Sequence, residues 1–283
     1  MIYDLNGSTL SSAFDKSGNA SASAYDITGD QVFATIIKVM TYNVGGWYCG
    51  SGTNVPSAQD AEYYALQNGM LSEHSDVDVL CLQEYMTNFS ELPRTADSVL
   101  SPYFTYRNCR QSGTYFGRGI CSKTEITGYT TNAYTAESSR YYDKAYVELG
   151  GKQIAIFTTH LGLTLANRQS EIAELITALQ NEEYFIACGD FNMLDCKSVS
   201  GEDYTAIIEP ILNAGFNSAN CTDYGFLETY SDQPTGTYTG CLDNIVTSSN
   251  IDILSASVDT TKLTDNLTEK ADHMPLIAEL QIN

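Results

Sequence analysis

The sequence predicts a layered α/β or α+β domain with mostly antiparallel strand pairing, and two observations lead to that prediction. From residue 34 onward, short apolar runs rich in β-branched residues are mixed with a few segments of helical periodicity. The chain also has 283 residues, of which 43% are hydrophobic and 17% charged. That length and composition are ordinary for a globular chain that buries one large core.

The predicted elements follow from these patterns in chain order. The run TIIKVMTY at 35–42 is apolar and β-branched, which is typical of a buried strand. Residues 57–73 begin with a candidate cap at Ser57 and carry apolar residues at helical spacing. The other predicted strands are 77–83, 118–123, 144–149, 153–159, 184–188, 242–248, 252–258 and 275–281, with Gly150-Gly151 as a hairpin turn. The other predicted helices are 165–180 and 203–214.

The first 33 residues differ from the rest by a repeated pattern. Aromatic-Asp-x-x-Gly occurs three times at a spacing of eleven residues, beginning at Tyr3, Phe14 and Tyr25. We interpret residues 1–33 as three short strand-and-turn units. They are either an appendage for packing or for attachment to a scaffold partner, or a remnant of a longer array. Residues 34–283 are then the domain that carries the chemistry.

The charge balance narrows the class of partner. The chain has 14 basic and 35 acidic residues, a formal net charge of −21. A field of that sign repels polyanions, which argues against a nucleic-acid binder with a basic surface. An enzyme that neutralises phosphate locally with a bound cation is compatible with it. High acidity with few lysines slightly favours an extracellular or cell-surface location.

Hydropathy and cysteine spacing exclude further classes. No apolar run reaches the ~18 residues needed to span a bilayer, and no signal-peptide pattern begins the chain. No C-x-x-C pair occurs, which argues against zinc ribbons and thioredoxin-like sites. Cys81, Cys121 and Cys188 lie in apolar runs and are predicted to be buried thiols. The other cysteines lie in more polar, loop-like contexts, which are compatible with one or two disulfides among them. They are Cys49, Cys109, Cys196, Cys221 and Cys241.

Polar residues lie at the ends of the predicted strands, where an open sheet builds a site from distant parts of the chain. These residues are Asn43, Glu84, His160, Asp190, Asn192, Asp243, Asp272 and His273. Carboxylates with amides suit Mg²⁺, which keeps several waters and accepts phosphate oxygens, whereas zinc requires more histidine or cysteine. Two of the three histidines belong to this set, and His74, in the polar stretch SEHSD, is predicted at the surface.

Seven segments, in this order, resemble the endonuclease/exonuclease/phosphatase superfamily, whose fold is that of pancreatic deoxyribonuclease. They are TYNVGG (41–46), LQE (82–84), GICSK (119–123), TTHLGL (158–163), GDFN (189–192), LDNI (242–245) and ADHMPLIAEL (271–280). The segments run from residue 41 to residue 280, and the resemblance covers residues 35–283. The resemblance implies a four-layered sandwich, in which two mainly antiparallel β-sheets pack together with helices outside.

The resemblance implies a metal site and an activated water. Glu84 would be the principal metal ligand, with Asn43 and Asp272 close to the ion or its waters. Mg²⁺ is the expected ion, with Mn²⁺ and Ca²⁺ as alternatives. Asp190 would orient or deprotonate the attacking water, while Asn192 would bond to the phosphate and hold Asp190.

The resemblance also implies substrate contacts. Asp243 would pair with His273, and a cationic His273 would stabilise charge on the phosphate. His160 would contact the scissile phosphate or assist the leaving group. Arg118, just before GICSK, is a candidate either for binding the substrate phosphate or for capping a strand, and Asn43 is a second candidate for binding the substrate. Family members often carry a basic residue before the TTHL strand, a position for which Lys144 is favoured and Arg140 is the alternative.

The implied activity is metal-dependent hydrolysis of a phosphate ester, foremost a phosphodiester, as in a nuclease or a related phosphodiesterase. Gly45 stands where the abasic-site endonuclease branch carries a second acidic metal-site residue, which disfavours DNA repair. The segment TTHLGLTLANRQ resembles the bacterial metal-dependent hydrolase and sphingomyelinase-like branches. A phospholipid or an inositol-type phosphoester is therefore the alternative to nucleic acid as substrate. The alternative of another class is a non-catalytic binding module.

Overall fold

The computed structural model describes residues 23–25, 31–45, 69–85, 96–112, 115–196, 198–222, 225–232, 237–260 and 272–283. In chain order, the strands of the first half are β1 (Ser23–Tyr25), β2 (Gln31–Phe33), β3 (Thr35–Asn43), β4 (Val79–Tyr85), β5 (Tyr106–Ser112), β6 (Tyr115–Ser122), β7 (Ile126–Ala133) and β8 (Tyr141–Leu149). Those of the second half are β9 (Lys152–His160), β10 (Phe185–Asp190), β11 (Asn217–Ser218), β12 (Tyr230–Asp232), β13 (Thr237–Gly240), β14 (Asp243–Thr247), β15 (Ile251–Val258) and β16 (Leu276–Ile282).

The described strands form two mixed six-stranded sheets. Sheet A has the order β15-β16-β3-β4-β6-β5, and sheet B has the order β11-β14-β10-β9-β8-β7. In each sheet a single adjacent pair is parallel, β3 with β4 and β9 with β10. The other adjacent pairs are antiparallel. Two further antiparallel pairs, β1–β2 and β12–β13, lie outside these sheets.

Helices cover the outer faces of both sheets. The described helices are α1 (Ala96–Leu100), α2 (Leu165–Leu179) and α3 (Glu209–Asn213), together with a π-helical segment at Tyr204–Ile208 and helical residues 69–73. Thr164 caps the N-terminus of α2, since its side chain accepts a hydrogen bond from the Asn167 backbone N–H. In the described part of the chain, no helix combines the length and apolar character needed to cross a bilayer.

Three apolar clusters explain the four layers. The central cluster joins the inner faces of the two sheets, with Val39 from sheet A packed with Ile156 and Ile186 from sheet B. A second cluster packs the outer face of sheet A against α1 and helical residues 69–73. A third packs Phe157 and the outer face of sheet B against Leu175 of α2. The described residues therefore form the four-layered sandwich that the sequence resemblance implies.

Differences from the predicted elements have local causes. The strands β5 and β7 were not predicted, because both are edge strands with polar, half-exposed residues that do not alternate with period two. The predicted helix 203–214 begins as the π-helical segment before it becomes α3. The predicted helix 57–73 is helical over 69–73, and the rest of it lies outside the described residues. The first two repeats of residues 1–33 also lie outside them, while β1 holds Tyr25 of the third.

The cysteine prediction is confirmed for three thiols. Cys81, Cys121 and Cys188 are fully buried and free. Among the other five, those that are also buried and free are Cys196, Cys221 and Cys241. Cys109 lies on β5, with its Sγ 3.6 Å from that of Cys121. Cys49 lies outside the described residues.

Candidate active site

Six strand ends meet at one end of the space between the two sheets. The strands β3, β4, β9 and β10 run towards this end, while the antiparallel strands β14 and β16 begin there. In sheet B the register places Asp190 beside His160 on one side and beside Asp243 on the other. The topology therefore turns residues distant in sequence into adjacent positions at one rim.

A layer of polar side chains lies between this rim and the apolar core. The Thr41 hydroxyl donates to Gln83 Oε1 at 3.3 Å, and Gln83 Nε2 donates to Thr158 Oγ1 at 3.0 Å, which joins the two sheets. Asn43 and His160 each lie two positions further along their strands than these threonines, and therefore on the same face. Sequence reasoning overlooked this layer, although the spacing of two residues was a signal for it.

The carboxylate of Asp190 lies at the centre of the site. Its Oδ2 accepts a hydrogen bond from Asn43 Nδ2 at 2.9 Å, and lies 3.3 Å from His160 Nε2 and 3.5 Å from His273 Nε2. Its Oδ1 accepts the backbone N–H of Asn192 at 2.8 Å. Burial raises the pKa of Asp190 to about 7, although the charge of His273 and these hydrogen bonds oppose part of the rise. A carboxyl group with that pKa is suited to accept a proton near neutral pH.

His273 and Asp243 form a buried pair. The ring Nδ1 of His273 lies 2.8 Å from Asp243 Oδ2. Burial lowers the pKa of His273, but the charges of Asp243 and Asp190 outweigh that effect and bring the pKa to about 10. His273 is therefore an imidazolium at neutral pH, whose Nδ1–H donates to Asp243 and whose Nε2 lies 3.5 Å from Asp190 Oδ2.

His160 differs from His273 in its charge state. Burial lowers its pKa well below the ordinary value, and the positive charges of Arg140, Arg118 and His273 lower it further. It is therefore a neutral imidazole at neutral pH. One carboxylate thus lies between a cationic ring and a neutral ring, although both are histidines at strand ends.

Asn192 joins the two loops that follow β9 and β10. Its backbone is left-handed, with φ of +54°, which asparagine tolerates better than most residues. Its Nδ2 donates to the backbone carbonyl of Leu161 at 2.7 Å. The predicted hold on Asp190 comes from the backbone N–H of Asn192, since its amide side chain bonds to the other loop.

Asn43, Glu84 and Asp272 lie together beside Asp190. Burial raises the pKa of Glu84, while the charge of His273 and a hydrogen bond with Asn43 oppose the rise. The negative charge of Asp272 adds to it. The backbone N–H of Gly45 donates to Asn43 Oδ1 at 3.0 Å. Gly45 also lies close to Asp272, because a Cβ added to it would be 3.9 Å from Asp272 Oδ1. Glu84 itself has φ of +52°, where β4 bulges between Gln83 and Tyr85.

These three side chains offer donors suited to a hard divalent cation. Two carboxylates and one amide oxygen match the ligands of Mg²⁺, which keeps waters and accepts phosphate oxygens as well. The mutual effect of Glu84 and Asp272 is a repulsion that a cation would relieve. Within the described ranges, no three histidine, cysteine or acidic side chains surround a single metal position. A full coordination shell would therefore include the amide, waters or substrate oxygens.

The predicted basic residues differ in location. Lys144 lies on the outer face of sheet B, where its Nζ donates to Glu182 Oε1 at 3.0 Å and to Tyr146 Oη at 3.1 Å. The structure does not bring it to the site, because alternation along β8 directs Asp143 inward and Lys144 outward. The charge of the alternative, Arg140, acts on the pKa values of Glu84 and His160, and so lies closer to the site.

Arg118 is buried on the inner face of sheet A. Its guanidinium carbon lies 3.1 Å from the centre of the Tyr141 ring, and its Nε lies 3.6 Å from Asp143 Oδ2. Burial lowers its pKa, although Asp143 opposes the change. Among the described residues, its Nε and Nη2 have no hydrogen-bond partner. Its role in binding substrate stays a prediction.

These features define a class: an α/β sandwich of two mixed sheets with a carboxylate and imidazole site where strand ends converge. The chain belongs to the Endonuclease/Exonuclease/phosphatase family, whose model matches residues 40–265. Members of this family hydrolyse phosphoesters and generally use divalent metals.

Individual relatives are distant. The protein YbhP of Escherichia coli (strain K12) is 27% identical over 135 residues, which cover 41% of this chain and 53% of YbhP. The chain thus spans about half the length of the curated relatives it matches. An endonuclease/exonuclease/phosphatase from Beutenbergia cavernae DSM 12333 has a TM-score of 0.66 at 12% identity, over 88% of this chain and 72% of that one. The human Nocturnin catalytic domain has a TM-score of 0.62 at 20% identity, over 88% and 95%. At such identities these structures share the fold.

Proposed function

We propose that the protein hydrolyses a phosphodiester by attack of a water molecule that Asp190 deprotonates. The observation that carries this proposal is the position of Asp190 between the neutral imidazole of His160 and the cationic imidazole of His273. A base with a pKa of about 7 holds an adequate ionised fraction at neutral pH and still accepts a proton readily. Family membership supports the reaction class.

The two histidines have different tasks in this mechanism. His273, held as a cation by Asp243, stabilises negative charge that develops on the phosphate oxygens. His160 is neutral, so its ring N–H would bond to the scissile phosphate or to the leaving oxygen without adding a full charge. Asn43 fixes the orientation of the Asp190 carboxylate through the 2.9 Å hydrogen bond. The water loses its proton to Asp190, and its oxygen forms the new bond to phosphorus as the bond to the leaving oxygen breaks.

A divalent cation completes the site in this proposal. Glu84, Asp272 and the amide of Asn43 would hold it, and it would supply positive charge to a phosphate oxygen. The oxygen donors favour Mg²⁺, with Mn²⁺ and Ca²⁺ as alternatives, over zinc.

Hydrolysis of a generic diester tests the proposal. With bis-p-nitrophenyl phosphate we expect turnover that requires Mg²⁺ or Mn²⁺ and stops when EDTA is added. Glu84→Ala and Asp190→Asn should each lower kcat by about 10³-fold or more, because each removes a group with a direct part in the reaction. Glu148→Ala, which removes an exposed carboxylate of β8, is the matched control and should retain activity. Full activity of either site variant would refute the mechanism.

The net charge of −21 favours a second candidate substrate, a phospholipid or small inositol-type phosphoester, over a long polyanion. Turnover of plasmid DNA, sphingomyelin and an inositol phosphate in one buffer would compare them. If DNA is the substrate, added salt should raise kcat/KM, because it screens the repulsion between protein and polymer. A fall in kcat/KM with salt would instead indicate a locally basic groove.

A further inference from the structure

A buried ion pair lies behind the site and contacts the two loops that follow β9 and β10. Arg168 of α2 donates through Nη1 to the backbone carbonyl of Leu163 at 2.7 Å, and its Nη2 bonds to Asp203 Oδ1. The second oxygen of Asp203 accepts the backbone N–H of Asp195 at 2.9 Å. Leu163 lies in the loop after His160, and Asp195 lies in the loop after Asp190. One guanidinium–carboxylate pair therefore connects the loop that follows His160 with the loop that follows Asp190.

Neighbouring peptide groups of the first loop are also held. Asn192 Nδ2 donates to the carbonyl of Leu161, and the N–H of Gly162 donates to Glu171 Oε2 at 2.6 Å. With Arg168, three successive residues after His160 are each bound through the backbone by a side chain. The loop thus has few ways to shift without breaking a buried hydrogen bond.

The pair is also sited where charge is costly. Arg168 is 7% exposed and Asp203 is 3% exposed. Two apolar side chains of similar volume often serve stability as well as a buried ion pair does, because the charges lose their hydration. Unlike an apolar side chain, a guanidinium fixes the relative positions of its partners, because its planar group bonds to a carboxylate and a carbonyl at the same time.

We propose that Arg168 and Asp203 are positioning residues that fix His160 relative to Asp190 through the backbones of Leu163 and Asp195. The inference rests on the proposed function for its catalytic consequence. Its geometric part, the placement of the His160 ring, stands independently of the reaction. Among the described residues, the hydrogen bonds of Arg168 and Asp203 go to each other and to the two loop backbones, and not to the Asp190 carboxylate.

Variants of the pair separate positioning from stability. Arg168→Met removes the donors and leaves a buried carboxylate, so both thermal stability and kcat should fall. The double variant Arg168→Met with Asp203→Asn removes both charges and keeps an acceptor for the Asp195 N–H. We expect it to recover much of the stability while kcat stays down by about 10²-fold, the cost of a displacement near 1 Å. KM should change little, and Arg168→Lys, which keeps one bond of the fork, should give an intermediate kcat.

Arg107, which makes the same two kinds of bond in a more exposed place, provides the control. Arg107 donates through Nε to Asp97 Oδ1 at 2.7 Å and through Nη1 to the carbonyl of Phe104, at the far edge of sheet A. Arg107→Met should lower stability and leave kcat unchanged. If kcat recovers with stability in the double Arg168 variant, or if Arg107→Met lowers kcat as much, the pair is merely structural and the proposal is overturned.

A readout without catalysis distinguishes failure of the inference from failure of the proposed function. The chain has three histidines, so the imidazole nitrogen signals in an NMR spectrum of the whole protein can be assigned by substitution. In the double variant the signals of His160 should shift or broaden, while those of His74 stay unchanged. Unchanged His160 signals would overturn the inference even in an active enzyme. If the wild type lacks phosphoesterase activity but the double variant shows this shift, the proposed function alone is overturned.

Discussion

Burial shifts the pKa of the Asp190 carboxyl group and the pKa values of the two neighbouring histidines in opposite directions. Removal from water disfavours the charged form, so it raises the pKa of Asp190 and lowers that of His160. The pKa of His273 is raised in spite of its burial, because two carboxylates lie within 3.5 Å of its ring nitrogens. A difference in neighbours, with the same residue type and similar burial, is thus enough to give one neutral and one charged histidine.

The pH dependence of the reaction should follow from these two groups. Asp190 must be ionised to accept a proton, so kcat/KM should rise with pH and level off above a pKa of about 7. His273 must be protonated, so kcat/KM should fall again as pH approaches its pKa of about 10. A profile of kcat/KM from pH 5 to 11 measures both limbs. His273→Gln should lower the rate and abolish the alkaline limb, and a flat wild-type profile between pH 5 and 8 would contradict the role of Asp190.

At the scale of elements, the parallel pair β9–β10 depends on a close approach of two backbones. A Cβ at Gly189 would overlap the backbone carbonyl oxygen of Thr159, and a backbone atom cannot rotate away as a side chain can. The same pairing sets Asp190 beside His160. The glycine of GDFN therefore serves the sheet, while the aspartate and asparagine serve the site.

Gly189→Ala should therefore destabilise the fold and disturb the site together. We expect a loss of about 2 kcal/mol or more in the free energy of unfolding, measured with urea, because overpacking forces the strands apart. Gly69→Ala is the control, since a Cβ there meets no atom of the described residues within 4 Å and the residue is helical. It should be neutral or stabilise by up to about 1 kcal/mol. Equal effects of the two substitutions would argue against the close approach.

The strands that were predicted and those that were not differ in their place in the sheet. Central strands such as β3, β9 and β10 are buried on both faces, so their sequences are apolar runs that stand out. The edge strands β5 and β7 are held by hydrogen bonds to one neighbour and carry polar residues on exposed faces. Backbone pairing does not depend on side-chain type, so a polar edge strand leaves little trace in the sequence.

At the scale of the whole molecule, the repeats of residues 1–33 are expected to be separable from the catalytic domain. The described strands of this region, β1 and β2, pair with each other and belong to neither six-stranded sheet. A protein consisting of residues 34–283 should therefore fold and retain the wild-type kcat/KM on bis-p-nitrophenyl phosphate. Circular dichroism and the activity assay measure the two properties. Loss of folding would show that residues 1–33 belong to the core.

The sequence by itself determined the types and order of the residues at the strand ends, from Asn43 to His273, because each follows or precedes a recognisable buried strand. It did not determine which basic side chain approaches the site. Lys144 and Arg140 are near each other in sequence, and the direction of a side chain depends on the pleat and register of β8.

The tertiary structure alone decided the charge state of His160 and the supports of the site. The neutral His160 and the Arg168–Asp203 pair depend on distances between residues far apart in the chain, whereas the cationic His273 was already expected from the resemblance. Burial and close charges set a pKa, and both arise only when the two sheets pack and their strand ends meet. A local pattern of residue types carries no record of those distances, which is why the composition of the site and, from the resemblance, the cationic His273 were predicted, whereas the neutral His160 and the supporting ion pair were not.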